Sequence, residues 1–373
     1  MSTTTASPAQ ISPASLAERI LAGAPVTLLD VREDASWSIE GPTVTSRHVP
    51  APAVLADPEA LAQELDGPVI TVCNKGITAE RVAQALAGAG ADATVLAGGM
   101  RGWIGLLRAV PVEVDVPGLE VRQIQRPGRG CLSYLVAAGD RALVVDPAPD
   151  ADAYLALADD LGFRITAVVD THLHADHLSG ARELARRAAA RLYLPAPALD
   201  RGVTYAGEVL PLVDGDALDL GGIPIRAIAL PGHTTDMTGV LVGGRVLIGG
   251  DSLFVDGIAR PDLQQGDPEG ARAMARMLHR TLHERVLSLG DDVVLLPGHT
   301  HPGLHGEPVA ATLGDVRRAV PELAIDDPAA FAEELLADMP PRPANYESVI
   351  AVNAGQHPYD PDLEAGGNSC STR

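Results

Sequence analysis

Ten consecutive residues constrain this chain more than any others: Val168-Val169-Asp170-Thr171-His172-Leu173-His174-Ala175-Asp176-His177. An apolar β-branched run, which reads as a buried strand, ends abruptly in three histidines and an aspartate. One histidine on a loop is ordinarily a structural residue with its hydrogen bonds satisfied. Imidazoles and a carboxylate at this density put several lone pairs around one point, as a borderline transition metal requires. Three later turns repeat the pattern. Pro231-Gly232-His233-Thr234, Gly249-Gly250-Asp251 and Pro297-Gly298-His299 each follow an apolar run and present one metal-type side chain.

Taken together, these stretches resemble the metallo-β-lactamase superfamily over about residues 119–305. The resemblance implies a two-sheet αββα sandwich with the ligands on loops at one edge. The elements fit that order. Strands read at 119–124, 132–137 and 142–146, a helix at 151–161, the strand 165–169 feeding the histidines, and a helix at 178–190. Further strands read at 192–194, 223–230, 240–242 and 246–248, then a helix from Pro268 to about Leu289 and a strand at 293–296. Cys131, beside a strand start, reads as structural.

A length of 373 residues suits two domains. Residues 1–110 form the first, residues 111–118 a linker with proline at both ends, residues 119–355 the second, and residues 356–373 a polar, mobile tail containing Cys370. A net charge of −21 argues against nucleic acid and anionic membrane surfaces as partners. Three scattered cysteines, Cys73, Cys131 and Cys370, make no disulfide framework. No apolar run is long enough to span a bilayer, and the first residues lack the pattern of a signal peptide. The expectation is a cytoplasmic protein with reduced thiols. A homo-oligomer remains open.

In the first domain, Ser15–Ala22 reads as a helix, Val26–Arg32 as a buried strand ending in charge, and Asp57-Pro58-Glu59 as a helix start. Val69–Val72 is a second strand, followed by Cys73-Asn74-Lys75-Gly76-Ile77-Thr78 and a helix through Leu86. Short strands alternating with helices imply a doubly wound parallel sheet, hence an α/β class for this part. Cys73 then stands at a strand's carboxyl end, before a helix, where free N–H groups and the helix dipole favour a thiolate. A small buried thiol is the bland alternative; the flanking Lys75, Gly76 and Thr78 tilt the reading towards an anion-binding loop.

Leu29-Asp30-Val31-Arg32-Glu33, the Cys73 loop and Gly98-Gly99-Met100 with Trp103 resemble the rhodanese family across nearly the whole domain. That resemblance implies a sulfurtransferase in which Cys73 carries a sulfane sulfur as a persulfide, cradled by Asn74, Lys75, Gly76, Ile77 and Thr78. Many relatives have an arginine near Thr78, suited to an anionic donor such as thiosulfate. Gly41-Pro42-Thr43 also replaces the usual segment before Arg47-His48-Val49-Pro50.

For the second domain, Gly250-Asp251-Ser252-Leu253-Phe254 followed by Gly257 to Gly266 looks like the persulfide dioxygenase group, which carries an Arg-x-Asp pair at this point. By that resemblance His172, His233 and Asp251 hold one Fe(II). His174, Asp176, His177 and His299 are then supporting or second-metal residues, with His174 open as a ligand. Arg260, with Asp262, is the candidate for an anionic thiol substrate. Charge pattern alone equally allows a surface arginine paired with Asp262. His301 stands where glutathione-using relatives have a tyrosine, and Ala354, in a closing stretch from Pro341 to Gly355, where some have cysteine. Glutathione, coenzyme A or another small thiol therefore stays open as carrier.

The leading expectation is an iron-dependent oxidation of a thiol persulfide by O2 to sulfite and free thiol, with Cys73 passing sulfane sulfur among persulfide, sulfite and thiosulfate. A dinuclear zinc thioester hydrolase of the glyoxalase II type is the second expectation. A non-enzymatic sulfur-binding scaffold is the third.

Overall fold

The computed structural model describes residues 7–35, 38–265, 267–337, 339–342 and 345–364. The first six residues, Gly266, Pro343, Ala344 and Cys370 with the rest of the tail beyond 364 lie outside the described residues. The chain divides into two compact units. The first takes the described residues up to Leu106, with Arg126–Arg129 and Pro302–Gly306; the second takes the remainder.

The first unit is built on a five-stranded sheet in the order Gln10–Ile11, Ala93–Leu96, Val69–Val72, Val26–Asp30, Val44–His48. All four pairings are parallel. Short crossovers put helices on the faces, so the central strands are apolar throughout: Val69–Val72 is buried at every position. The first helix runs Pro13–Leu21, two residues earlier than the periodicity suggests, because Ser12 accepts from the Ser15 N–H and Pro13 takes the first helical position. Asp57 caps Pro58–Glu64 in the same way, accepting from Ala60 N–H. The edge strands Gln10–Ile11 and Val44–His48 have no apolar run to announce them, and the sequence reading did not anticipate them.

The second unit is a four-layered sandwich. Its seven-stranded sheet runs Val209–Leu212, Arg191–Pro195, Arg164–Val169, Arg141–Val145, Cys131–Ala138, Leu119–Arg126, Arg108–Pro111. The six-stranded sheet runs Ala217–Leu220, Ile223–Ala229, Thr238–Val242, Val246–Gly250, Val294–Pro297, Ala311–Thr312. Period-two alternation sorts side chains between layers. Tyr134 and Val136 join Val240, Val242 and Ile248 in the core between the sheets. Their neighbours Leu135 and Ala137 turn outward onto helices Ala151–Leu161 and Ala181–Ala188. On the other side Leu247 and Leu295 pack under Pro268–Thr281 and Pro328–Ala337. Burying each such leucine or valine contributes roughly 1.5–3 kcal/mol, so the sandwich is fixed by its alternation before any loop is placed.

Three boundaries differ from expectation. Arg108–Pro111 is an edge strand, paired antiparallel with Leu119–Arg126, so the second unit's sheet starts before the proline-flanked stretch. The helix after the histidines begins at Ala181, since the N–H groups of Leu178 and Ser179 go to Glu364 and Asn353. Glu364, in the stretch read as a mobile tail, is buried by that contact. No described helix is long and apolar enough to cross a membrane.

Candidate functional site

The parallel strand Arg164–Val169 stops level with the end of its neighbour Arg141–Val145, two residues short of the end of Arg191–Pro195, and the chain turns into the histidine loop at that edge. Backbone and side-chain bonds hold the loop. Asp146 accepts from the N–H and hydroxyl of Thr171 at 2.7 and 2.8 Å. Asp236 accepts from Leu173 N–H at 2.8 Å and is paired with Arg201. The Asn353 amide donates to the carbonyls of His174 and His177 at 2.9 and 2.8 Å.

Within this frame the titratable side chains separate into three buried groups: His172, His233 and Asp251; Cys131, Asp176, His177 and His299; Asp146, Asp170 and His174. In each group the donor atoms lie within 4.8 Å of one another.

The first group has the features of an ion site. His172 Nε2, His233 Nε2 and Asp251 Oδ2 are buried without a hydrogen-bond partner among the described residues. Each imidazole Nε2 stands 3.8 Å from Asp251 Oδ2, a separation that two bonds of about 2 Å to one ion can span. Three such orphaned polar atoms facing one another are costly unless something binds them. The other nitrogens fix the tautomers. The Thr171 hydroxyl spends its proton on Asp146 and so accepts from His172 Nδ1 at 3.0 Å. His233 Nδ1 donates to the Arg260 carbonyl at 2.8 Å. Both Nε2 lone pairs therefore face inward. Burial, with His174 and His233 alongside, pushes His172 well below its ordinary pKa and keeps it neutral.

The second group is knitted together. His299 Nδ1 meets Asp251 Oδ1 at 2.7 Å, and its Nε2 stands 2.9 Å from Asp176 Oδ2. His177 Nδ1 meets Asp176 at 3.0 Å. Burial opposes charge here, but Asp176 and Cys131 outweigh it and raise His177 to about 9. Burial likewise raises the Cys131 thiol, and His177 and His299 reverse that, bringing it to about 5. Asp251 is held below the carboxylate range by His299 and His233 against the same burial. Cys131 is also tied to His299 through the backbone, where Leu132 N–H donates to Gly298 O and Thr300 N–H to Gly130 O. Gly298 leaves room for this: a Cβ there would lie 2.4 Å from Asp251 Oδ1.

His174 is drawn to the third group. Its Nε2 lies 3.2 Å from Asp146 and 3.8 Å from Asp170. Burial disfavours its charge, yet these two carboxylates hold its pKa well above the ordinary value.

Arg260 is fully buried. Its guanidinium grips Asp262 at 2.8 and 3.1 Å and donates to the carbonyls of Pro340 and Pro341. Arg342 adds a bond to Asp262 at 3.1 Å. The pairing with Asp262 is therefore present, in the interior rather than at the surface, while the Arg260 carbonyl orients His233. His301 is exposed, 3.5 Å from Asp256.

In the first unit, Cys73 follows Val69–Val72 and precedes helix Ile77–Gly88. The thiol is free and buried, and Ala79 N–H reaches Sγ at 3.3 Å. The Cys73 and Asn74 carbonyls accept from Met100 and Arg101 N–H. Gly99, at φ +59°, permits this approach, since a Cβ would stand 2.1 Å from Cys73 O. Above the thiol opens a cavity of about 920 Å³, lined among others by Arg32, Glu33, Lys75, Thr78 and Arg81. Arg32 is locked to Asp30 at 2.9 and 2.5 Å. Of the expected cradle, Asn74, Lys75, Ile77 and Thr78 line this cavity, and Gly76 supplies the left-handed turn at φ +85° before the helix.

Sequence reasoning passed over Asp146, Asp236 and Glu364, and took Cys131 as structural. Asp146 carries a local signal, an acid at a strand end before proline. Asp236 and Glu364 reach the loop from 63 and 186 residues away and carry none.

Comparison with known proteins agrees with both units. Residues 126–299 match the metallo-beta-lactamase superfamily and residues 12–106 the rhodanese-like domain. The human mitochondrial persulfide dioxygenase ETHE1 is 30% identical over 212 residues, 55% of this chain and 76% of that protein. A hydroxyacylglutathione hydrolase of Acidiphilium cryptum is 31% identical over 231 residues, 61% of this chain and 92% of the relative. The crystal structure of ETHE1 from Myxococcus xanthus superposes with a TM-score of 0.54 at 27% identity, covering 64% of this chain and 99% of that one.

Proposed function

The chain belongs to the metallo-β-lactamase superfamily and carries a rhodanese-like domain ahead of that fold, and from this premise we propose that it is an iron-dependent persulfide dioxygenase with a sulfurtransferase domain. The observation that carries the reading is the convergence of His172 Nε2, His233 Nε2 and Asp251 Oδ2. Two imidazoles and one carboxylate would hold one Fe(II) ion, which when bound would supply the redox chemistry for a persulfide and O2. The overall change takes a thiol persulfide, one O2 and one water to the free thiol and sulfite.

The chain's own residues orient that ligand set. Thr171 and the Arg260 carbonyl aim the two imidazoles. His299 holds Asp251 by Oδ1, so that Oδ2 is presented to the ion. His174 Nε2 is turned towards Asp146 at 3.2 Å and Asp170 at 3.8 Å, away from the group of His172, His233 and Asp251. Arg260 then acts by holding Asp262 and the carbonyls of Pro340 and Pro341 while its own carbonyl orients His233. In the first unit Cys73, ahead of helix Ile77–Gly88 with the Ala79 N–H on its Sγ, accepts the sulfane sulfur. Both thiols need a reducing compartment, which the cytoplasm provides.

A dinuclear zinc thioester hydrolase is the second reading, and one observation favours it: Asp176, His177 and His299 gather close enough to hold another ion. The two readings part on metal content and oxygen. Protein purified without air should contain about one iron per chain and consume O2 with a thiol persulfide. His233→Ala should abolish uptake and Cys73→Ser should spare it. Two zincs per chain with thioester hydrolysis and no oxygen uptake would replace the first reading with the second.

A further inference from the structure

Cys131 stands at the start of strand Cys131–Ala138 in one sheet of the sandwich, opposite the His299 turn that follows strand Val294–Pro297 of the other. Bonds from Leu132 N–H to Gly298 O and from Thr300 N–H to Gly130 O, at 2.8 and 2.9 Å, lock the two together. Asp176 and His177 reach the same point from the histidine loop, where the Asn353 amide holds the His177 carbonyl and Glu364 the Leu178 N–H. A thiol, a carboxylate and two imidazoles are thus buried with their donor atoms within 4.8 Å of one another. Donors bonded at about 2.0–2.3 Å around a tetrahedral ion stand up to about 3.8 Å apart, so the group need close by only about 1 Å at its widest.

One hydrogen bond decides what such an ion could use. His299 Nδ1 donates to Asp251 Oδ1 at 2.7 Å, which leaves Nε2, 2.9 Å from Asp176 Oδ2, as the ring nitrogen on the side of the group. The same bond occupies the Asp251 oxygen that would otherwise bridge two ions. The other oxygen, Oδ2, belongs with His172 and His233. A second ion therefore lacks the Asp251 carboxylate, and Cys131 is the donor that completes its set.

We propose that Cys131, Asp176, His177 and His299 form a closed four-donor site for a zinc-class divalent ion, with the Cys131 sulfur as a direct ligand. A thiolate donor favours such borderline ions over magnesium or calcium. Binding releases the thiol proton to solvent. Four protein donors leave no position for an attacking water, so the ion pins three segments together rather than hydrolysing a thioester. Those segments are the histidine loop, the His299 turn and the start of strand Cys131–Ala138. The second ion is independent of which metal His172, His233 and Asp251 hold, and oxygen uptake plays no part in its test.

Full-length protein freed of metal by a chelator without air is titrated with Co(II), whose bond to a thiolate gives a near-ultraviolet charge-transfer band. Wild type should take up about two ions per chain and show that band with one of them. Cys73→Ser and Cys370→Ser should keep the band. Cys131→Ser should lose it while still binding the other ion. Its second ion should be weaker by about 100-fold, since losing even a partner that only orients a ligand costs about 10–100-fold. Zinc-edge X-ray absorption of zinc-loaded wild type, which needs no variant, should include a sulfur at about 2.3 Å. Binding of both ions without the band, a band kept in Cys131→Ser, or a zinc shell of nitrogen and oxygen alone overturns the assignment of Cys131. Uptake of a single ion without the band overturns the site as a whole.

Discussion

His299 Nδ1 lies 2.7 Å from Asp251 Oδ1 while the other oxygen of Asp251 faces the Nε2 atoms of His172 and His233 at 3.8 Å. One carboxylate thus serves both groups of residues, and its orientation depends on an imidazole from a different loop. Replacing His299 with alanine should weaken the metal by about 10–100-fold, the usual effect of losing a partner that orients a ligand. Competition with a chelator of known affinity checks this. If only one of two bound ions were lost and the other kept its affinity, the site would be dinuclear.

Asn353 ties the histidine loop to the closing helix Tyr346–Asn353 through the carbonyls of His174 and His177 and the N–H of Ser179. Asn353→Ala leaves two buried carbonyls and one half-buried N–H without their partner, at a cost of about 1–3 kcal/mol for each buried group left unsatisfied. Amide exchange across 172–179 should accelerate, with little change in the first unit. Unchanged exchange in that loop would mean the helix does not hold it.

How far the sequence reveals this site depends on whether a contact is local. The ligand loops were legible because each follows an apolar strand and is punctuated by glycine or proline: Pro231-Gly232-His233, Gly250-Asp251, Gly298-His299. The sandwich was legible for the same reason, as Tyr134, Val136 and Leu135 alternate between layers. The edge strand Val44–His48 was not, because its residues are mostly exposed and polar and its pairing comes from Val26–Asp30. Nor was the environment of Cys131, whose partners Asp176, His177 and His299 are distant in sequence. Arg260, read as the candidate for an anionic substrate with a surface pairing as the alternative, is fully buried because Asp262 and two proline carbonyls replace its water.

That burial gives an acid prediction. Burial works against ionising Asp262, but Arg260 and then Arg342 hold its carboxyl below the usual range. A folded pKa below the unfolded value of about 3.9 means that protonation favours the unfolded chain. The stabilisation is complete above about pH 4 and is lost as pH falls through the folded pKa. Denaturant midpoints measured from pH 6 down to pH 3 should therefore drop more steeply in wild type than in Asp262→Asn.

Arg260→Lys tests whether the guanidinium fork or its charge is needed. Lysine keeps the charge but cannot grip both oxygens of Asp262 while also reaching the carbonyls of Pro340 and Pro341. A partly unsatisfied buried pair of this kind typically costs about 3–5 kcal/mol when one partner is removed outright, and less for a charge-conserving change. We expect Arg260→Lys to lower the unfolding midpoint of the second unit and Arg260→Ala to lower it further. The carbonyl that orients His233 belongs to residue 260 itself, so both variants should also lose metal affinity to the extent that the loop shifts. Equal metal affinity with lowered stability would separate the two roles, leaving the backbone carbonyl in place and the side chain as a clamp alone.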